Sequence, residues 1–286
     1  MPELPEVEVV KQSLNKKIKF KKIKKILVRN RNLRFKVPNK FQFFLTNKLI
    51  SKISRKSKYL VFHLNNKTFL IFHLGMSGSM HLTDKKNFIK TNLSFYGPLN
   101  LPTKHNHIIF IFSDYELIYN DPRRFGFTKI FKDKKELEFF FNKYGPEPFD
   151  KKFNINYIHK SLKNKKKNIK NFLLDQNFVS GIGNIYASEI LYYCKINPFK
   201  KAEKISIKNI KKIIFFSKFV LMKAIKKGGS SIRNFKNIKG NTGSYQREFK
   251  VYSREDLNCL DKSCSGKIIK KNISNRSTFF CNNCQK

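Results

Sequence analysis

The chain has no tryptophan, only five cysteines, and 19 acidic residues against 61 lysines and arginines. Each scarcity excludes something. The few acids leave a formal charge of +42, which disfavours cationic partners and favours a polyanion, most simply DNA or RNA. Codon drift in an A+T-rich genome also enriches Lys, Asn, Ile and Phe and removes Trp. The sign of the charge is therefore informative and its size inflated. Drift does not favour arginine, so where the arginines stand is the better guide. An unpaired fifth cysteine and the lack of an export signal argue against a disulfide framework. Cys194, in an apolar stretch, reads as a buried thiol. Glu3, Glu6 and Glu8 occupy the place where a signal peptide needs basic and apolar regions. Apolar runs such as 69–74 and 108–112 are too short to cross a bilayer. The expected setting is the cytoplasm, away from membranes. A hydrophobic fraction of 40% suffices for packed cores, and the length allows two domains and a small third.

Residues 5–14 carry apolar side chains at helical spacing, with Val7, Val10 and Leu14 on one face. Pro5 suits a first turn, and acids precede lysines as the helix dipole prefers. From 18 to about 131 the period changes to two. Runs at 53–64, 68–74, 107–112 and 116–119 are broken by Asn, Gly, Pro and Asp, the pattern of an antiparallel sandwich or barrel. The polar stretch 82–104 reads as a long surface loop. Beyond Gly145-Pro146-Glu147-Pro148 the period is helical. Helices are expected at 155–162, 169–174, 184–193 and 207–227, the last stopped by Gly228-Gly229. A Gly/Ser/Asn-rich loop follows at 238–246.

Four cysteines close the chain as two pairs, Cys259 with Cys264 and Cys281 with Cys284, in a C-x4-C-x16-C-x2-C spacing. The segment is too short and polar to build its own core. Paired thiolates on two close turns suit one tetrahedral zinc ion, whose binding energy becomes folding energy. Between the pairs stand Lys267, Lys270, Lys271 and Arg276, so the ribbon presents cations to a polyanion.

Other candidates are weaker singly. Removal of Met1 leaves Pro2 as a terminal secondary amine able to attack an electrophilic carbon and form an iminium cation. The adjacent helix N-terminus disfavours the protonated amine, and Glu3 beside it can shuttle protons. The plain alternative is a start codon followed by a helix-opening Pro-Glu. Gly181-Ile182-Gly183-Asn184 before a helix offers backbone N–H groups to a phosphate, with Lys165, Lys166, Lys167 and Lys170 upstream. It also reads as a tight turn that needs glycine. Asp121-Pro122-Arg123-Arg124-Phe125-Gly126 follows a strand. Its arginines suit base edges and its Phe a wedge between bases, or else Arg124 pairs with an acid and Phe125 packs inward. Lys58 opens an apolar strand, either held toward a cleft or solvated. Met76, in Leu74-Gly75-Met76-Ser77-Gly78, is a wedge or core filler.

Taken in order, these motifs resemble the bacterial formamidopyrimidine-DNA glycosylase family over nearly the whole chain: PELPEVE at 2–8, Lys58-Tyr59-Leu60, HLGMSGS at 73–79, DPRRFG at 121–126, GPEP at 145–148, the stretch 181–189, and the cysteine ribbon with Arg276. The resemblance implies an α+β protein. Its parts would be an N-terminal β-sandwich with an N-terminal helix (1–133), a linker (134–150), a helix-two-turn-helix domain with a lesion-capping loop (151–248) and a zinc ribbon (249–286). It implies a monomeric enzyme that flips oxidised purines such as 8-oxoguanine and formamidopyrimidines out of duplex DNA. Pro2 would attack C1′, Glu3 would donate a proton at sugar opening, Lys58 would assist the first elimination and Arg276 the second. Met76, Arg123 and Phe125 would fill the vacated space, with Arg123 facing the orphaned cytosine. His105, Lys165 and Asn184 would contact phosphates, and the loop around 241–245 would close over the flipped base.

Two features depart from the family pattern. The first knuckle is C-x4-C where C-x2-C is usual, and the 82–104 loop that precedes His105 is longer. Endonuclease VIII shares the proline chemistry but usually opens with PEGP, and the DPRRFG turn also favours the purine enzyme. A non-catalytic zinc-ribbon protein binding RNA or DNA accounts for charge and cysteines but leaves Pro2-Glu3, Lys58 and Arg276 without a common reason.

Overall fold

The computed structural model describes residues 2–84, 90–92, 102–230 and 244–286. In chain order the elements are α1 (Leu4–Ile18), β1 (Lys25–Val28), α2 (Phe41–Leu45), β2 (Ile50–Lys56), β3 (Tyr59–Leu64), β4 (Phe69–His73), β5 (Ser79–Asp84) and β6 (Lys90–Asn92). There follow β7 (Asn106–Ile111), β8 (Tyr115–Asn120), β9 (Phe127–Phe131), α3 (Lys134–Phe141), α4 (Ile155–Leu162), α5 (Ile169–Leu174), α6 (Asn184–Cys194), α7 (Ile207–Lys226), β10 (Ile268–Ile273) and β11 (Arg276–Cys281). Two compact units result: Met1–Asn142 with Ile225–Gln246, and Lys143–Ala224 with Arg247–Lys286.

The first unit is the expected sandwich. Among the described residues its strands form one sheet in the order β1-β7-β8-β5-β6 and another in the order β2-β3-β4-β9, and all pairs are antiparallel. One core joins both sheets to α1, which contributes Val7, Val10, Leu14 and Ile18, each at most 1% exposed. Burying such a side chain stabilises by roughly 1.5–3 kcal/mol, so the apolar face fixes the helix more firmly than its propensity does.

The run at 53–64 is a hairpin turned by Ser57, with φ of 54°, and its second strand opens just after Lys58. Two expectations change here. Strands β3 and β4 are buried almost without interruption, because a core lies on one face and aromatic side chains on the other. Tyr59 packs there against Phe127, Phe140 and Phe141. The stretch 82–104 is partly regular. β5 runs to Asp84 and pairs with β6 through His81↔Asn92, and a helical turn occupies Thr103–His105. Residues 85–89 and 93–101 lie outside the described residues.

In the second unit α4 and α5 take the expected spans. Each opens on an asparagine whose side chain accepts a first-turn N–H: Asn154 from Tyr157 at 3.0 Å and Asn168 from Asn171 at 2.9 Å. Helix α6 ends on Lys195 in the left-handed conformation. Helix α7 stops at Gly228 and Gly229, both with positive φ. The ribbon β10–β11 turns through Ser274 and Asn275, both left-handed, as a two-residue hairpin requires. The start of the expected 134–150 linker is α3, whose Phe140 packs on Phe131. No helix among the described residues is long and apolar enough to cross a membrane.

Two loops of the first unit meet at glycine. Gly75 has φ of +63°, and a Cβ there would lie 2.4 Å from the backbone N of Gly126. Gly75→Ala is therefore expected to destabilise the first unit by about 1–3 kcal/mol. Urea unfolding measures this as a lower midpoint with an unchanged slope.

Candidate functional site

The N-terminus is built around buried acids. Pro2 is buried, and Glu3, at 2% exposure, is the N-cap of α1. The Glu3 backbone N–H donates to Glu6 Oε2 at 2.9 Å. Glu6 Oε1 accepts from the Ser230 N–H at 2.8 Å and from the Ser230 hydroxyl at 2.9 Å. One carboxylate thus fastens the start of the chain to the segment that follows α7.

Lys58 lies in the β2–β3 turn and is only 6% exposed, which excludes the solvated reading. Its turn is tied to α1. Arg55 Nε donates to Glu8 Oε2 at 3.0 Å, and Arg55 Nη1 donates to the Ser57 carbonyl at 2.9 Å. Burial would raise the Glu8 pKa, but hydrogen bonds from Lys11 and Gln12 and the Arg55 charge hold it below the usual value. The pair is well enclosed, so it orients rather than merely decorates.

The β4–β5 and β8–β9 loops form the second part. Asp121 is fully buried and organises both. Its Oδ1 accepts from the Ser77 hydroxyl, and its Oδ2 accepts from the Tyr119 hydroxyl at 3.0 Å and the Gly126 N–H at 2.8 Å. On this base Met76 is 43% exposed and Phe125 41% exposed, so neither the core-filler nor the inward-packing alternative holds. The Arg123 N–H donates to Ser77 Oγ at 3.2 Å, and its guanidinium lies 4.4 Å over the Phe125 ring. Arg124 is exposed at φ of 54°. His105 is half-buried, and its carbonyl accepts from the Asp121 N–H at 3.1 Å, which brings it to the same turn.

Behind these loops His73 stacks on Phe127 with ring centroids 5.5 Å apart. Its Nδ1 accepts from the Gly75 N–H at 3.1 Å, so that nitrogen carries no proton. Burial first, then the positive fields of Lys58 and Arg34, push its pKa down to about 4.

In the second unit the ribbon tip is clamped to helices α5 and α6. The Asn184 amide donates to the Ser277 carbonyl at 2.9 Å, and the Asn171 amide donates to Ser274 Oγ at 3.1 Å. Lys170 is wholly buried, and its Nζ donates to Thr278 Oγ1 at 2.8 Å. Lys170 therefore does not join the exposed cations Lys165, Lys166 and Lys167, because its ammonium is consumed by the ribbon. The glycine turn also differs from a free phosphate cradle. The Gly181 N–H donates to Gln176 Oε1 at 2.9 Å, and Gln176 Nε2 braces the Ile182 carbonyl. Arg276 lines a groove of about 380 Å³ with Lys167, Asn171, Phe172, Asp175 and Ser274.

The sulfur atoms of Cys259, Cys264, Cys281 and Cys284 all lie within 4.8 Å of one another. The Cys264–Cys281 and Cys259–Cys284 separations are 3.6 and 3.9 Å. A tetrahedral ion with metal–sulfur bonds of about 2.3 Å needs sulfur edges of about 3.8 Å, so the set fits one metal ion and no disulfide. The long first knuckle closes by a local turn. The Ser263 hydroxyl and N–H donate to Asp261 Oδ1, and the Cys264 N–H donates to the Asp261 carbonyl at 2.9 Å. Lys195 of the α6 terminus pairs with Asp261 and also donates to Cys284 Sγ at 3.4 Å.

Sequence reasoning missed Glu6, Arg55 and Asp121 as positioning groups. Glu6 and Asp121 carry one available signal, a carboxylate in a strongly basic chain standing at a helix start or before a proline turn. Residues 241–243 of the expected capping loop lie outside the described residues, and Tyr245 beside them is fully buried.

Comparison with known proteins gives a consistent result. Residues 1–128 match the family model of the formamidopyrimidine-DNA glycosylase N-terminal domain, and residues 144–236 match that of its H2TH domain. Formamidopyrimidine-DNA glycosylase from Wolbachia sp. subsp. Brugia malayi is 38% identical over the full length of both chains. The Rickettsia bellii protein of the same name is 40% identical, again over the full length of both. A Lactococcus lactis FPG mutant in complex with Fapy-dG-containing DNA superposes with a TM-score of 0.88 at 34% identity, with both chains fully covered. Lactococcus lactis Fpg with abasic-site DNA gives 0.87 at 35% identity over 99% of each chain.

The His73 environment has a pH consequence. The folded chain binds fewer protons than the unfolded one between its depressed value of about 4 and the ordinary 6.5. The stability from neutral His73 is thus complete above the unfolded value and is lost as the pH falls toward 4. Between pH 7 and pH 5 the wild type is expected to lose about 2 kcal/mol more than His73→Gln, which keeps an acceptor for Gly75. Urea titrations of both proteins at the two pH values measure the difference. Equal losses would assign the titration to another group.

Proposed function

Because this chain belongs to the formamidopyrimidine-DNA glycosylase family, and is a glycosylase of that type acting on damaged DNA, we propose that it removes oxidised purines and then cuts the strand, using the amine of Pro2. The observation that carries this reading is the buried Pro2-Glu3 pair at the positive end of α1, locked there by Glu6. With Met1 removed, the Pro2 nitrogen attacks C1′ of the damaged nucleotide and the base leaves with its electron pair. Glu3 donates the proton that opens the sugar. The resulting iminium acidifies the C2′ proton, and its removal expels the 3′ phosphate. A further elimination expels the 5′ phosphate. Lys58 assists the first elimination and Arg276 the second. An anionic leaving group in each step favours a cation at that place.

Binding uses the exposed cation Lys165 together with two half-buried polar groups. Lys165, His105 and Asn184 serve phosphates, while Met76 and Phe125 occupy the space left by the extruded nucleotide and Arg123 faces the orphaned base. The four cysteines hold one structural zinc ion, which sets the aim of the ribbon that carries Arg276. The functional parts are the sandwich at 1–133, the helical region at 151–248 and the ribbon at 249–286. The protein acts as a cytoplasmic monomer on double-stranded DNA.

Borohydride reduction tests the chemistry directly. The wild type is expected to become covalently linked to abasic or 8-oxoguanine duplex, and Pro2→Gly to lose most of that product. Glu3→Gln should bind lesion DNA yet fail to excise, and Arg276→Ala should accumulate the product of the first elimination. A Pro2→Gly protein that traps normally would overturn the reading. Removing the metal with a chelator should weaken DNA binding at least tenfold before the sandwich unfolds, measured by anisotropy alongside circular dichroism. Unchanged affinity would remove the metal from the binding account.

A further inference from the structure

A second cationic groove stands in the first unit. Asn32, Leu33, Arg34, Arg123, Arg124 and Phe125 enclose a groove of about 530 Å³. The chain contains 10 arginines against 51 lysines, and three of the ten converge here. Drift toward lysine makes that convergence more telling than any lysine cluster. Arginine also suits phosphate better than lysine, because its planar fork donates two parallel hydrogen bonds.

The wall that carries Arg34 has no regular secondary structure, yet it is fixed. Arg31 Nη1 donates to the Pro38 carbonyl at 2.7 Å, and its Nη2 donates to Gln42 Oε1 at 3.0 Å. The Val37 N–H donates to the Arg31 carbonyl at 2.9 Å, and Leu33 and Val37 are buried. The Arg34 N–H donates to the Gly126 carbonyl at 3.2 Å, which joins this wall to the turn that carries Arg123 and Phe125. Phe35 meets Phe127 edge-on, with ring centroids 4.9 Å apart. A loop held this way while its Arg34 side chain stays exposed is a presented cation, not a structural one.

We propose that this groove takes the phosphate backbone of the undamaged strand, with Arg34 as a phosphate contact beside the base opposite the lesion. The inference rests on the proposed role of Arg123 in facing the orphaned base. Arg123 and Phe125 share the groove with Arg34, so the strand that bears that base runs along it. Successive phosphates of one strand lie close together along the helix axis, so a phosphate beside that base comes within reach of the exposed Arg34.

Backbone neutralisation tests this in the full-length protein. Duplexes with one 8-oxoguanine·cytosine pair carry methylphosphonates either at the two phosphates flanking the cytosine or at two phosphates of the lesion strand. Wild-type affinity is expected to fall about tenfold with the first duplex, the effect of losing a charge-assisted contact. Arg34→Gln should show that loss on unmodified DNA, lose little more on the cytosine-strand duplex, and remain sensitive to lesion-strand neutralisation. Its salt slope should be shallower by about one phosphate's share. Arg34→Lys, tested in parallel, should recover part of the affinity, which separates loss of the cation from any disturbance of the loop. An Arg34→Gln protein that stays fully sensitive to the cytosine-strand change overturns the assignment, as does one that loses sensitivity only on the lesion strand. The cycle reads binding alone. A wild type with the expected pattern that fails to trap under borohydride refutes the proline chemistry and leaves the groove assignment standing.

Discussion

The first unit depends on one buried carboxylate. Glu6 is 1% exposed and accepts from the Glu3 N–H and from both donors of Ser230. A bare carboxylate at that depth would cost several kcal/mol, and three donors compensate it. In return the group fixes two pieces of chain that no sheet ladder reaches: the residues before α1 and those after α7. The same device recurs. Asp121 holds the β8–β9 turn through Ser77, Tyr119 and Gly126, and Glu189 in the second unit holds three successive N–H groups of Lys250, Val251 and Tyr252. Burial leaves Glu189 with a raised pKa, which those N–H groups oppose. In a chain with 19 acids, three of the buried ones accept from backbone N–H groups at loop junctions.

The cations divide by the same logic. Most lysines are exposed and set a general attraction for polyanions that salt will screen. The informative ones are enclosed. Lys58 sits in a turn braced by Arg55, and Lys170 is folded into the ribbon contact. Arginine appears where geometry must be held: Arg31 bridges a loop to α2, Arg55 bridges α1 to the β2–β3 turn, and Arg123 lies over Phe125. A fork of donors orders a loop in a way that a point charge does not.

The ribbon shows how little apolar material a small element needs when thiolates converge. Tyr192, Val251, Ile268 and Phe279 form a modest cluster around Cys259 and Cys281. Tyr192 meets Cys259 Sγ at 3.4 Å, and Lys195 bonds both Asp261 and Cys284. Helix α6 therefore supplies the outer contacts of the sulfur cluster as well as part of its packing, and the extra residues of the first knuckle are absorbed in the Asp261 turn.

Much was legible from residue order alone. Periodicity placed α1, α4, α5, α6 and α7 within a residue or a few, since an apolar stripe and an asparagine cap are local signals. The cysteine spacing announced the sulfur cluster for the same reason, and motif order identified the family. Periodicity could not show that β3 and β4 are buried almost throughout, because the aromatic side chains that cover their second face come from elsewhere in the chain. Nor could it separate Lys170 from Lys165, or decide whether Lys58, Met76 and Phe125 face inward or outward. Those outcomes depend on which distant groups arrive: Thr278 for Lys170, Asp121 beneath the two loops, Ser230 for Glu6. Local order thus determined which elements form and which chemistry the chain carries. Only tertiary contact decided which charges are buried, because desolvation depends on neighbours that the sequence separates by as many as 224 positions.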